Sequence, residues 1–233
     1  MSAVFKKELR SYFCNPIGYI MLALYFFFTG IFFSAYYEMG VPDGSFIILN
    51  SLLLLVIVAP LLTMRMISED RRQKVDQALF CAPVSLTKIV LGKFLAALAM
   101  FGICNLLYVV YELIFSFYCT VNWLSFLNCL IGFFLVGAGL IAIGLFISSL
   151  TESPIVSFII TFTASMLMLY LDSIAQMLGL DWLTKGAQYI SFYSRFYDAA
   201  NGIFNLADTL YLLSFVAFFI FLTVRSLEKK RWS

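Results

Sequence analysis

Apolar residues run through this chain in long blocks separated by short polar stretches, and the block length is that of a bilayer crossing. A spanning helix needs about 20 predominantly apolar residues. Six segments qualify: 17–37, 46–64, 89–117, 126–150, 154–171 and 208–224. None alternates as barrel strands do. Only Thr151, Glu152 and Ser153 separate the fourth block from the fifth, which predicts a tight helical hairpin. The first block is longer than a signal-peptide core and lacks an A-x-A cleavage site, so it reads as a retained helix.

Three further pieces lie outside the blocks. Residues 2–14, "SAVFKKELRSYFC", as a helix gather Phe5, Leu9, Tyr12 and Phe13 on one side and Lys7, Glu8 and Arg10 on the other. Such a helix lies in the membrane interface with its bases near anionic headgroups. A charged flank that only fixes topology is the simpler alternative. The second piece, "MISEDRRQKVDQALFCAPVSLTK", holds the densest charge in the chain. Val75, Ala78, Leu79 and Ala82 fall at i, i+3, i+4 and i+7, which predicts a short amphipathic helix over 69–82. Pro83 ends it for want of an N–H, and Ser85 is placed to cap the next helix. The third piece spans 172–207. There Tyr189, Phe192, Tyr193, Phe196, Tyr197, Ala200 and Ile203 recur at helical spacing. That aromatic face suits a membrane–water boundary, so one or two short helices lying on or dipping into the outer leaflet are expected.

Composition and charge then fix class and orientation. The chain is 63% hydrophobic and 12% charged, with a mean hydropathy of +0.97. Soluble domains run at about 45–50% apolar and about 25% charged. A net charge of +2 gives no reason to expect a nucleic-acid partner. Every Lys and Arg except Lys185 and Arg195 lies on one set of flanks, while Glu38, Asp43, Asp172, Asp181, Asp198 and Asp208 lie on the other. The positive-inside rule therefore places both termini in the cytoplasm, the chain crossing the cell inner (plasma) membrane.

Chemistry narrows the function by what is missing. There is no histidine, the commonest general base and metal ligand. Cys14, Cys81, Cys104, Cys119 and Cys129 show no paired spacing and read as reduced thiols. No GxxxxGK[ST] loop exists; "VLGKF" has a Gly-Lys pair without the glycine-rich turn, so the chain has no phosphate cradle for ATP. No H-E-x-x-H, GxSxG or metal spacing appears. Inside the blocks the clearest ionisable group is Glu112, a functional-site hypothesis by its position. It could face a polar pathway, bind a cationic group, pair with Arg195, or snorkel to the outer interface. Asn50 and Asn105 are expected to make hydrogen bonds between helices. Gly137, Gly139 and Gly144, with Ala138, Ala142 and Ser148, give the fourth block a small-residue surface for close packing.

Four stretches, in order and at the right spacing, resemble the membrane subunits of ABC transporters of the type-2 permease class, nearest the gliding-motility-like subgroup. "FKKELRSYFCNPIGYI" resembles that subgroup's elbow helix leading into the first span. "RMISEDRRQKVDQALFCAPVSLTKIVLGK" is similar to its cytoplasmic motif, matching at Glu69, Asp70, Pro83, Val84, Ser85, Gly92 and Lys93 and departing at Lys74, Val75 and Cys81. "IGLFISSLTES" and "YLLSFVAFFIFLTVRSLEKKRW" follow. The resemblance implies one all-α integral membrane domain over residues 1–233. It would have an elbow helix, six spans, a cytoplasmic coupling helix and short extracellular helices before the last span.

It also implies a permease subunit of an ATP-driven exporter. A separate cytoplasmic P-loop ATPase would carry ATP and Mg, and a second permease, identical or related, would complete a dimer lined by spans one, two and five. Glu69, Asp70, Arg71, Arg72, Lys74, Asp76, Gln77, Leu79 and Pro83 would couple to the ATPase, the charges of 69–74 staying wet to meet it. Tyr189, Phe192 and Phe196 would belong to a helix closing the outer side. A membrane anchor that recruits a soluble partner without transport is the rival reading. A membrane-embedded enzyme is disfavoured by the lack of His and of paired acids.

Overall fold

The computed structural model describes residues 2–40, 43–72, 85–178, 186, 190–203 and 205–231, and among these there is no strand. The helices are α1 (Ser2–Cys14), α2 (Pro16–Glu38), α3 (Gly44–Asn50), α4 (Leu52–Thr63), α5 (Ser68–Arg72), α6 (Leu86–Ser116), α7 (Trp123–Leu150), α8 (Pro154–Leu178), α9 (Phe192–Ala200) and α10 (Leu206–Arg231). Six stretches are long and apolar enough to cross a membrane. The chain is an all-α membrane protein with six such spans.

Each junction has a local cause. The corner from α1 to α2 turns at Asn15, and Pro16 opens α2 where its missing N–H costs no hydrogen bond. Gly18 makes the corner possible, since a Cβ there would lie 2.1 Å from the Tyr12 carbonyl oxygen. After α2 the chain turns at Gly40, whose φ of 69° is left-handed. Asp43 then caps α3 by accepting from the Ser45 N–H at 2.9 Å.

The second span, expected as one helix over 46–64, is broken at Ser51. Its backbone stays in the right-handed helical region, at φ −74° and ψ −6°, and its hydroxyl bonds back to the Ile47 carbonyl at 2.7 Å. The expected Ser85 cap forms only through the backbone: its carbonyl accepts from Lys88 at 3.0 Å, while its side chain makes no capping bond. The fifth span runs on to Leu178, past 171, but loses helical geometry at Tyr170. The 151–153 hairpin is as short as expected.

α7 is the hub, packing against α3, α4, α6, α8, α9 and α10. Its glycines let neighbours in: a Cβ at Gly137 would meet the Phe101 ring at 2.2 Å, at Gly139 the Phe192 ring at 2.9 Å, and at Gly144 the Thr63 hydroxyl at 2.2 Å. In lipid, helices gain little by hiding apolar surface from one another, so close backbone approach and hydrogen bonds hold the bundle. Span one and span five remain largely open, 22% buried each, against 67% for span two and 72% for span four. We call the end holding α1, α5 and the C-terminal part of α10 basal, and the end holding residues 39–45 and α9 distal.

Candidate functional site

The basal end is built round Lys93. It lies one and a half to two turns into α6 and is only 3% exposed. A buried ammonium is costly unless all three protons find acceptors. Here they do. Nζ donates to Glu8 Oε1 of α1 at 2.8 Å, to Asp70 Oδ2 of α5 at 2.6 Å, and to the Met66 carbonyl. One side chain thus ties together three elements far apart in sequence. Removing a single partner from such a buried group typically costs about 3–5 kcal/mol, because the remaining charge stays buried.

Two more bonds secure the joint. The Tyr12 hydroxyl donates to the Leu62 carbonyl at 2.6 Å, fixing α1 to α4. Burial, then the Glu8 carboxylate, pushes this phenol far above its ordinary range, so it remains a neutral donor. Ser148 of α7 accepts from the Ile67 N–H at 3.2 Å and the Ser68 N–H at 3.1 Å, satisfying the free amides where α5 begins. Beside the triad, between α1 and the lower part of α4, is a cavity of about 400 Å³. Its polar wall includes Lys7, Glu8, Arg65 and Glu69, and its apolar wall includes Leu61 and Leu62.

The expected coupling residues divide three ways. Asp70 is not wet: it is spent on Lys93, with 18% of its side chain exposed. Glu69 is half-buried and pairs with Arg65 at 3.8 Å across one helical turn. Arg71 is half-buried and Arg72 exposed. The prediction that the whole of 69–74 stays in water is therefore corrected at Asp70, whose carboxylate has a buried lysine to neutralise. Lys74, Asp76, Gln77, Leu79 and Pro83 lie outside the described residues. Sequence reading missed Glu8, Tyr12 and Ser148 as parts of this joint. The signal for Lys93 was present, a cation seven residues into an apolar helix, but its partners come from elsewhere in the chain.

At the distal end Glu112 is fully buried, and its Oε2 accepts from the Gly44 N–H at 2.9 Å. A Cβ on Gly44 would sit 2.2 Å from that oxygen, so only glycine permits the contact. Glu112 does not pair with Arg195, nor does it snorkel outward. Arg195 bonds instead to Asp208 of α10 and lies 4.8 Å from the centre of the Tyr211 ring. The carboxylate anchors the chain between spans one and two.

Asn105 and Asn50 link helices. Asn105 Oδ1 lies 3.2 Å from the Tyr25 hydroxyl, which lies 2.9 Å from that of Tyr108. Exposed Asn50 donates to the Tyr36 hydroxyl at 2.5 Å. Phe192 and Phe196 form a helix as expected, but their rings enter the bundle against α7 instead of resting at the membrane boundary. Small α7 residues, Gly132 and Gly139, leave the space they fill. Tyr189 lies outside the described residues.

No curated protein matches the chain. A family match, to the ABC-2 family transporter protein, extends over residues 36–230. It takes in Asp70, Lys93 and Glu112 but starts inside α2, leaving Glu8 and Tyr12 outside. Covering most of the chain and all but part of one span, that match assigns this six-span membrane protein to the ABC-2 transporter family, as a permease subunit of an ABC transporter.

Proposed function

We propose that the chain is the permease of an ATP-driven exporter of the gliding-motility-like subgroup, seated in the cell inner membrane with its basal end and both termini in the cytoplasm. Residues 69–82, which begin within α5, couple to a separate P-loop ATPase, on which ATP and Mg are bound. α1 is the elbow helix. A second permease subunit, identical or related, packs against the open faces of spans one and five. Those faces are apolar, with Ile20, Phe27 and Ile31 on one and Ile155, Ile159 and Ile160 on the other. They favour an amphipathic or lipid-like cargo over a small ion.

The observation that carries this reading is the Lys93 triad. A push on the segment after Arg72 would reach α5 through Asp70, then α6 and α1 through the same ammonium, so force would move helices instead of bending a loop. The test is co-isolation with the ATPase, followed by transport and ATP turnover for Asp70→Asn. This change keeps an acceptor for Lys93 but removes its counter-charge. Expected is continued ATPase binding with transport per ATP reduced about tenfold, a loss of coupling and not of assembly. ATPase binding without any cargo-dependent turnover in the unaltered protein would instead indicate an anchor.

A further inference from the structure

Span five is turned inside out. The residues it buries fall on one line of α8: Ser157, Thr161, Ser165, Leu169, Asp172 and Ala175. Its outward faces are apolar, with Ile155, Ile159, Ile160 and Leu167 exposed. The basal part of the buried line is a run of three hydroxyls about one helical turn apart, each fully enclosed. None of the three has a hydrogen-bond partner among the described residues. The same helix can supply one: on its exposed side Thr163 bonds back to the Ile159 carbonyl at 2.9 Å. An enclosed hydroxyl without an acceptor is unfavourable, and more so at membrane depth, where no water replaces the partner.

The element packed on this line carries the opposite deficit. α8 lies along α4, and α4 has Pro60 inside it. Proline has no N–H, so the Val56 carbonyl, four residues earlier, lacks the donor that a helix would supply. Serine or threonine from a neighbouring helix can satisfy such a freed carbonyl in a membrane protein. The two helices share one level: Thr63 of α4 and Thr161 of α8 both border the space that a Cβ on Gly144 would fill. Spans two and five run in opposite directions. From the shared level, Val56 is therefore seven residues and about 10 Å towards the distal end, and Ser165 four residues and about 6 Å. Ser165 falls short of the Val56 carbonyl by about 4 Å, less than the roughly 5.4 Å of one helical turn.

We propose that Ser165 and the Val56 carbonyl are the two halves of an interhelical bond that closes in a second arrangement of the bundle. Span five slides towards the distal end by less than a turn, the seryl hydroxyl donates to the carbonyl, and the contact of Thr63 and Thr161 at Gly144 is left behind. Ser157, Thr161 and Ser165 give the line a low surface, over which the helices pass without large side chains interlocking. The structure holds the latch open, and the new bond stabilises the second arrangement against it. The inference rests on the permease reading for its driving force, ATP turnover on a partner subunit.

The experiment uses the full chain co-isolated with its ATPase in lipid nanodiscs. Thr63→Cys with Thr161→Cys reports the register. Copper-catalysed oxidation should join this pair without nucleotide, as identified by mass spectrometry of the linked peptides, and about tenfold less with ATP and vanadate. Added to the pair, Ser165→Ala should retain most of the cross-link under ATP and vanadate. So should Pro60→Ala, whose new N–H takes the Val56 carbonyl. The two together should retain no more than either alone, because both delete the same bond. Ser165→Thr, which keeps the hydroxyl, should restore the shift. Ser165→Ala by itself should leave the unfolding temperature unchanged or higher, since no bond is lost in the resting arrangement. Equal cross-linking with and without nucleotide, in a complex that hydrolyses ATP, would overturn the inference and leave the permease reading intact. A full shift in Ser165→Ala, or a lowered unfolding temperature, would overturn it as well. Failure to co-isolate with any ATPase would remove both.

Discussion

Lys93 shows how one residue can be worth more than its chemistry in isolation. An ammonium within an apolar helix is destabilising by itself, and two carboxylates plus a carbonyl turn it into a three-way connection. Lys93→Met should lower stability by about 3–5 kcal/mol, read as a drop in detergent unfolding temperature, because Glu8 and Asp70 then face each other without a cation. Replacing all three, Lys93→Met with Glu8→Gln and Asp70→Asn, should recover much of that loss. Additive losses would mean that the three do not act as a unit. Gly44 makes a second prediction at this scale. Gly44→Ala forces the Glu112 carboxylate aside and should cost about 1–3 kcal/mol, measured the same way. Much of this detail is absent from the one-dimensional pattern. Glu112 stood out as an acid in an apolar block, yet its partner is a backbone amide 68 positions away, a group that every residue but proline carries.

At the scale of elements, α9 and the α4–α5 junction behave differently from their patterns. The aromatic spacing of α9 correctly indicated a helix, and the same pattern fits two environments, a membrane boundary or a bundle core. α7 decides between them by presenting glycines where Phe192 and Phe196 arrive. Phe196→Ala should destabilise by about 2 kcal/mol. That is below the about 3–5 kcal/mol usual for aqueous cores, because burial between helices in lipid lacks most of the transfer term. Gly139→Leu should be worse, since the Phe192 ring has nowhere to move. At the other junction, Ser148→Ala strands the Ile67 and Ser68 amides at about 1–3 kcal/mol each. Local loosening there should appear as faster hydrogen exchange over residues 64–72, with α7 itself unchanged.

At the scale of the whole molecule, burial is lopsided: α7 and the second span are enclosed, and the first and fifth spans present apolar faces outward. A single copy leaves these faces to lipid, while a paired permease would cover them. Ile159→Cys, exposed on the fifth span, should give a copper-catalysed disulfide dimer in membranes if the partner is a second copy. Labelling of the same cysteine only as a monomer, in cells where transport proceeds, would point to a different partner subunit. The orientation has its own check. Arg72→Cys, at the exposed end of α5, should react with a membrane-impermeant thiol reagent only after the cell is opened.

Block length, polar punctuation and the placement of Lys and Arg determined, from the chain alone, that this is a six-span helical membrane protein and which flanks share a side. They also located the amphipathic segment at 2–14 and the charged turn after the second span. These properties are additive along the chain: each block's transfer into lipid and each flank's charge can be assessed where it stands. Only the tertiary structure decided that Asp70 is bound to Lys93 and not to solvent, that Glu8 and Ser148 complete that joint, and that Phe192 and Phe196 of α9 point inward. Those are properties of pairs brought together from distant positions, and in lipid such pairs are settled by the fit of backbones and the satisfaction of polar groups, which no local pattern encodes.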